Sequence, residues 1–114
     1  MASINYDGKK FKVVSNSDSG EVTDAVSFEY RQNENIVSCT YKGAHIVTGH
    51  LLGKVNTKGT IEFTYHQINT QGELRTGRCI STPELLASGK IRLYEVWQWT
   101  NGSQEKGTSI LEEL

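Results

Sequence analysis

One hundred and fourteen residues make one domain's worth of chain, enough to bury a single core and too few for two. Hydrophobic residues make up 36% and the net charge is −1, a globular composition rather than a disordered one. Lys and Arg number 12 against 13 Asp and Glu, so there is no global attraction to nucleic acid, and no apolar run nears the roughly 18 residues of a membrane helix.

From the N-terminus, Met1–Asp7 has neither the basic end nor the apolar stretch of a signal peptide. The expectation is a cytoplasmic protein with reduced thiols. Cys39 and Cys79 each fall in strand-like sequence and read as small buried hydrophobes, with a disulfide open only if the fold brings them together. Helical periodicity is nearly absent. Runs rich in Val, Ile, Thr and aromatic residues predict strands at Phe11–Ser15, Ala25–Gln32, Asn35–Tyr41, His45–Val55, Thr60–Asn69, Glu73–Ser81, Lys90–Thr100 and Gly107–Leu111.

The connections carry turn chemistry. Asn56-Thr57-Lys58-Gly59 and Asn69-Thr70-Gln71-Gly72 share an Asn-x-x-Gly pattern that suits a type I turn ending in a left-handed glycine. Asn101-Gly102 predicts a type I′ hairpin, and Gln32–Glu34 and Lys42-Gly43 are further turn candidates. One helical turn is expected at Thr82–Leu86, with Thr82 as cap, Pro83 at the first helical position and Gly89 as stop. No linker or composition shift divides the chain, so residues 1–114 are expected to form one domain.

Eight short strands must hide one face and two edges. Short hairpin links favour an all-β antiparallel meander barrel of about eight strands, of the lipocalin or avidin kind, over the alternative two-sheet sandwich. The Asn56–Gly59 turn sets a register: Val55 opposite Ile61, Gly53 opposite Phe63 and Leu51 opposite Tyr65 on an apolar face. Lys54 with Glu62, Leu52 with Thr64 and His50 with His66 share the polar one. On Lys90–Thr100 the larger apolar face is Ile91, Leu93, Trp97 and Trp99, which buries Glu95 among them. Neither face of Glu73–Ser81 is clearly the inner one, and Arg78 is placed inward as a partner for Glu95.

A carboxylate on an apolar strand face is costly unless it is paired or wet. Together with the ring-bearing neighbours it suggests a small-ligand site, with Tyr65, Trp97 and Trp99 as walls and Gln67, Arg78 and Glu95 as polar anchors. The competing readings are an internal ion pair plugging a narrow barrel and a solvated Glu95. His45, His50 and His66 offer only one adjacent pair, short of a zinc set, so no metal is expected, and no cofactor either. The chain has no Ser-His-Asp spacing, no Gly-x-Ser-x-Gly elbow and no Gly-x-Gly, which leaves out Walker, dinucleotide and acetyl-CoA pyrophosphate loops.

The series Gly49-His50-Leu51-Leu52-Gly53, Tyr65-His66-Gln67-Ile68-Asn69, Gly72-Glu73-Leu74, Ser81-Thr82-Pro83-Glu84, Gly89-Lys90-Ile91-Arg92-Leu93 and Trp97-Gln98-Trp99-Thr100 resembles a family of small bacterial proteins, some labelled N-acetylglutamate synthase. The resemblance runs from about Tyr6 to Glu113. The residues themselves favour non-catalytic binding of a small, partly apolar molecule inside the barrel. Two alternatives stand beside it: acyl-transfer or acid–base chemistry using Glu95 or His66, and an oligomerising module with a filled core.

Overall fold

The computed structural model describes residues 4–17 and 26–114, and among these there is no helix. Nine strands follow one another: β1 Lys10–Asn16, β2 Ser27–Glu29, β3 Arg31–Asn33, β4 Ile36–Gly43, β5 Ile46–Val55, β6 Ile61–Asn69, β7 Leu74–Leu85, β8 Ile91–Trp99 and β9 Lys106–Glu113. All pairings are antiparallel in one sheet ordered β2-β1-β9-β8-β7-β6-β5-β4-β3. The two outermost members, β2 and β3, are consecutive in the chain and separated only by Tyr30. The sheet therefore returns on itself as a nearly closed meander barrel, and the sandwich alternative is overturned by this single continuous sheet.

The strand expected at Ala25–Gln32 is present as two short pieces; Ala25 itself lies outside the described residues. The division has a pairing cause. Lys10–Lys12 of β1 pair with residues 27–29, whereas Ile36–Ser38 of β4 pair with residues 31–33, so the segment changes partners at Tyr30. Tyr30 holds the bend through its backbone, donating to Lys9 O at 2.9 Å and accepting from Gly8 N at 2.8 Å.

The β5–β6 register is the one the turn predicts, from Val55 opposite Ile61 through His50 opposite His66. Asn56 fixes that turn by accepting from Lys58 N and Thr60 N at 2.9 and 3.0 Å, and Gly59 takes a φ of +86°. Asn69 and Gly72 repeat the arrangement between β6 and β7. The helical turn expected at Thr82–Leu86 does not form. β7 runs on to Leu85, and the chain turns at Leu86–Gly89, where Gly89 N donates to Leu86 O at 2.9 Å. Pro83 is tolerated in a strand because β6 stops pairing at Ser81, so the missing N–H falls where β7 has only β8 beside it. The type I′ turn expected at Asn101-Gly102 is also replaced. Gly102 and Gln104 take positive φ, and Asn101 instead uses its side chain to bridge Leu74 O and Thr76 N at 2.7 and 3.1 Å.

Inward residues fill the two ends of the barrel differently. At the end that carries the β5–β6 and β7–β8 turns, Tyr6, Phe11 and Tyr30 pack as a fully buried cluster with ring centroids 5.0–6.2 Å apart. The Tyr6 hydroxyl donates to Gly59 O at 2.6 Å, so this residue, ahead of β1, closes that end. Cys39 and Cys79 are buried and unbridged. Removing the ring by Tyr6→Ala is expected to cost about 3–5 kcal/mol by opening a cavity. Tyr6→Phe should lose only about 1 kcal/mol with the hydrogen bond. Urea unfolding distinguishes the two, and equal losses would show that the ring contributes nothing to the seal.

Candidate functional site

The interior is open above this aromatic cluster. A cavity of about 60 Å³ lies toward the ends of β1, β6 and β8, with Tyr41, Phe63, Tyr65, Trp97 and Trp99 among its walls and Glu95 and Ser109 in its lining. Five of the six predicted site residues line it: Tyr65, Gln67, Glu95, Trp97 and Trp99. The rings meet edge to face, Tyr65 with Trp99 at 5.6 Å and Trp97 with Trp99 at 5.8 Å between centroids. Gln67 is fully buried and accepts the Tyr41 hydroxyl at 2.8 Å.

Rings of this size fit because the opposite wall is bare at the positions they cover. A Cβ added at Gly49, Gly77 or Gly107 would run into the ring of Tyr41, Tyr65 or Trp97 respectively. Gly53, which the sequence register set opposite Phe63, is confined by Glu62 O and the Phe63 Cβ rather than by a ring.

Arg78 is not in the site. It stands on the outer face of β7, exposed, with Nη2 donating to Gln98 Oε1 at 2.9 Å across the strand. The buried residues of β7 are Gly77, Cys79 and Ser81, all small, with Arg75 on the same face nearer the end of the strand, while the outer face carries Leu74 and Ile80. Large residues outside and small ones inside invert the usual signal. The small residues leave space for the rings of β6 and β8.

Glu95 is therefore buried without a cationic partner from Arg78. Its side chain lies between Ser81 and Ser109, which face it from the adjacent strands β7 and β9, and it is only 8% exposed. Ser109 Oγ donates to Oε1 at 3.0 Å. The second oxygen, Oε2, and the Ser81 hydroxyl make no hydrogen bond of full geometry among the described residues, although Ser81 is near enough to favour the ionised carboxyl, and the Tyr30 hydroxyl makes none either. Burial pushes the Glu95 carboxyl up to about 7, and the nearby hydroxyls of Ser109 and Ser81 offset part of that rise. The same burial, reinforced by the Glu95 charge, raises the Cys79 thiol and the Tyr30 hydroxyl well above their usual values. Both stay neutral wherever the carboxyl titrates.

Several lining residues escaped the sequence reading. Asn16 reaches Trp97 Nε1 with its Oδ1 at 3.2 Å only because a bulge between Val13 and Ser15 shifts the alternation of β1. No strand pattern foretells a bulge. Ser109 sits in the alternation Ser109, Leu111 on β9 and was legible as an inward polar residue. Arg75, outside the lining, sets its guanidinium carbon 4.1 Å from the centre of the Trp99 ring. The histidines are elsewhere: His50 and His66 lie side by side on the outer wall, their rings tilted with centroids 5.6 Å apart, and among the described residues no group of three His, Cys, Asp or Glu is placed to hold a metal ion.

Two expectations follow from this geometry. An unfolded Glu titrates near 4.5 and Glu95 in the folded chain near 7, so the folded state holds the proton more tightly between those values. Its stabilising contribution is whole below pH 4.5 and is lost as the pH rises through 7, a loss of about 3 kcal/mol. Glu95→Gln should match the wild type near pH 4.5 and exceed its stability by about that amount at pH 8, in urea melts; a difference independent of pH would refute the buried acid. Gly107→Ala should displace the Trp97 ring, shifting its fluorescence and costing about 1–3 kcal/mol; an unchanged spectrum and stability would contradict the close approach.

The sequence matches the family model described as avidin-like protein over residues 4–114. No curated protein matches the chain. The family match carries nothing on the N-acetylglutamate synthase label of the bacterial resemblance. A continuous meander barrel with a lined interior is what that match leads one to look for, and because it spans nearly the whole length, the chain belongs to the avidin-like family.

Proposed function

We propose that the protein is a non-catalytic binder of a small, partly apolar molecule, held in the lumen between Tyr65, Trp97 and Trp99 with Gln67 and Glu95 as polar contacts. The observation that carries this reading is the cavity itself: about 60 Å³ of space walled by aromatic rings, with an incompletely satisfied buried carboxylate in its lining. A filled-core interaction module would have no use for such a void, since packing the space would add stability. Acid–base chemistry draws less support, because Glu95 and His66 stand on opposite sides of the barrel wall and Cys79 is held as a thiol. Membership of an avidin-like barrel family agrees with the binding reading.

The test is a thermal-shift screen of small amphipathic compounds, with biotin included. At a concentration 100 times Kd, a ligand adds about 2.7 kcal/mol. That corresponds to a rise in Tm of roughly 10 °C in a domain of this size. Trp97→Phe, which keeps an aromatic wall, should remain folded by circular dichroism and lose most of the shift. A folded Trp97→Phe that keeps the full shift would remove the ligand from this site.

A further inference from the structure

The polarity of the lumen says more about its ligand than its shape does. Among the described residues lining the cavity, Glu95 is the only Asp, Glu, Lys, Arg or His. Its Oε2 is buried and makes no hydrogen bond, and the rest of the lining is largely aromatic and aliphatic, with Asn16, Gln67 and Ser109 among its neutral polar members. A lone carboxylate in such a lining makes a site that repels anions and lacks a positive charge to complete it. Neither arginine of β7 supplies that charge: Arg78 is on the outer wall, and Arg75, over Trp99, does not line the void.

Size narrows the class further. At about 10–15 Å³ for each water-sized group, about 60 Å³ takes about four to six of them, so the part of a ligand held beside Glu95 is small. On the premise that the lumen binds a small molecule at all, we propose that its ligand is a small protonated alkylamine, with an ammonium N–H donating to the Glu95 carboxylate and its alkyl groups against the rings of Tyr65, Trp97 and Trp99. A neutral ligand of the same shape fills the space but leaves the ionised carboxylate without a counter-charge.

The groups facing Glu95 are Ser109 from β9, Ser81 and Cys79 from β7, and Tyr30 from the β2–β3 bend. Cys79 and Tyr30 hold their protons through the neutral range, so Glu95 alone changes charge in the lumen there. Alkylammonium binding therefore tightens as the pH rises through about 7, about tenfold per pH unit below that value.

tert-Butylammonium and tert-butanol make the deciding pair of probes, matched in shape and differing in charge, with tetramethylammonium as a cation lacking an N–H. Tryptophan-fluorescence and calorimetric titrations are run at pH 8 on the wild type and on Glu95→Gln. The wild type should favour tert-butylammonium over tert-butanol by at least about tenfold, and over tetramethylammonium as well. In Glu95→Gln, expected to fold at least as stably as the wild type, the preference and the pH dependence should both vanish. Equal binding of tert-butylammonium and tert-butanol by the wild type overturns the cation assignment while leaving the lumen as a binding site. A preference that survives in Glu95→Gln does the same. Binding of none of the three overturns the alkylammonium assignment, and the compound screen then decides whether the lumen binds at all.

Discussion

Closing a sheet into a narrow barrel creates one interior whose volume its inward residues must share, and every other feature of this protein answers to that limit. Some inner positions must stay bare if others are to carry tyrosine and tryptophan. The chain meets this by pairing rings with bare backbone: Tyr65 over Gly77, Trp97 over Gly107 and Tyr41 over Gly49. The glycines weaken their strands individually. The rings they admit supply far more buried apolar area than a methyl group would. The same pairing fixes where each ring can lie, so the walls of the cavity are positioned by the strands opposite them.

The two ends of the barrel show the consequence. One end is filled by Tyr6, Phe11 and Tyr30 and tied to the β5–β6 turn through the Tyr6 hydroxyl. The other keeps a void, and Glu95 lies in its lining. An acid in that place works against the folded state once it ionises, and an amide of the same shape would not. Sequences retain such groups where a ligand interaction compensates the cost to folding. On the proposed binding reading, the partly satisfied carboxylate is the point where stability and binding are set against each other.

The outer wall follows a looser rule. Solvent tolerates both Arg78 beside Gln98 and the side-by-side pair Ile80 and Val96, so polarity there does not report which face is which. This explains why β7 was illegible in the sequence while β5, β6 and β8 were not. On β6 and β8 the inner face is the larger and more apolar one, as the alternation of Ile61, Phe63 and Tyr65, and of Ile91, Leu93 and Trp97, makes plain. On β7 the inner face is small because the neighbouring rings occupy its space, a fact that belongs to β6 and β8.

Local chemistry in the sequence determined the strands, the Asn-x-x-Gly turns, the β5–β6 register and the burial of Glu95 with its two tryptophans, because each depends on residues close in the chain or on a period of two along one strand. Only the tertiary structure decided the rest. Closure through the bend at Tyr30, the bulge that brings Asn16 to Trp97, the run of β7 past Pro83 and the exclusion of Arg78 all depend on which strand lies alongside and how much room it leaves. Space inside a barrel is allotted by all its strands at once, and no single segment carries that information.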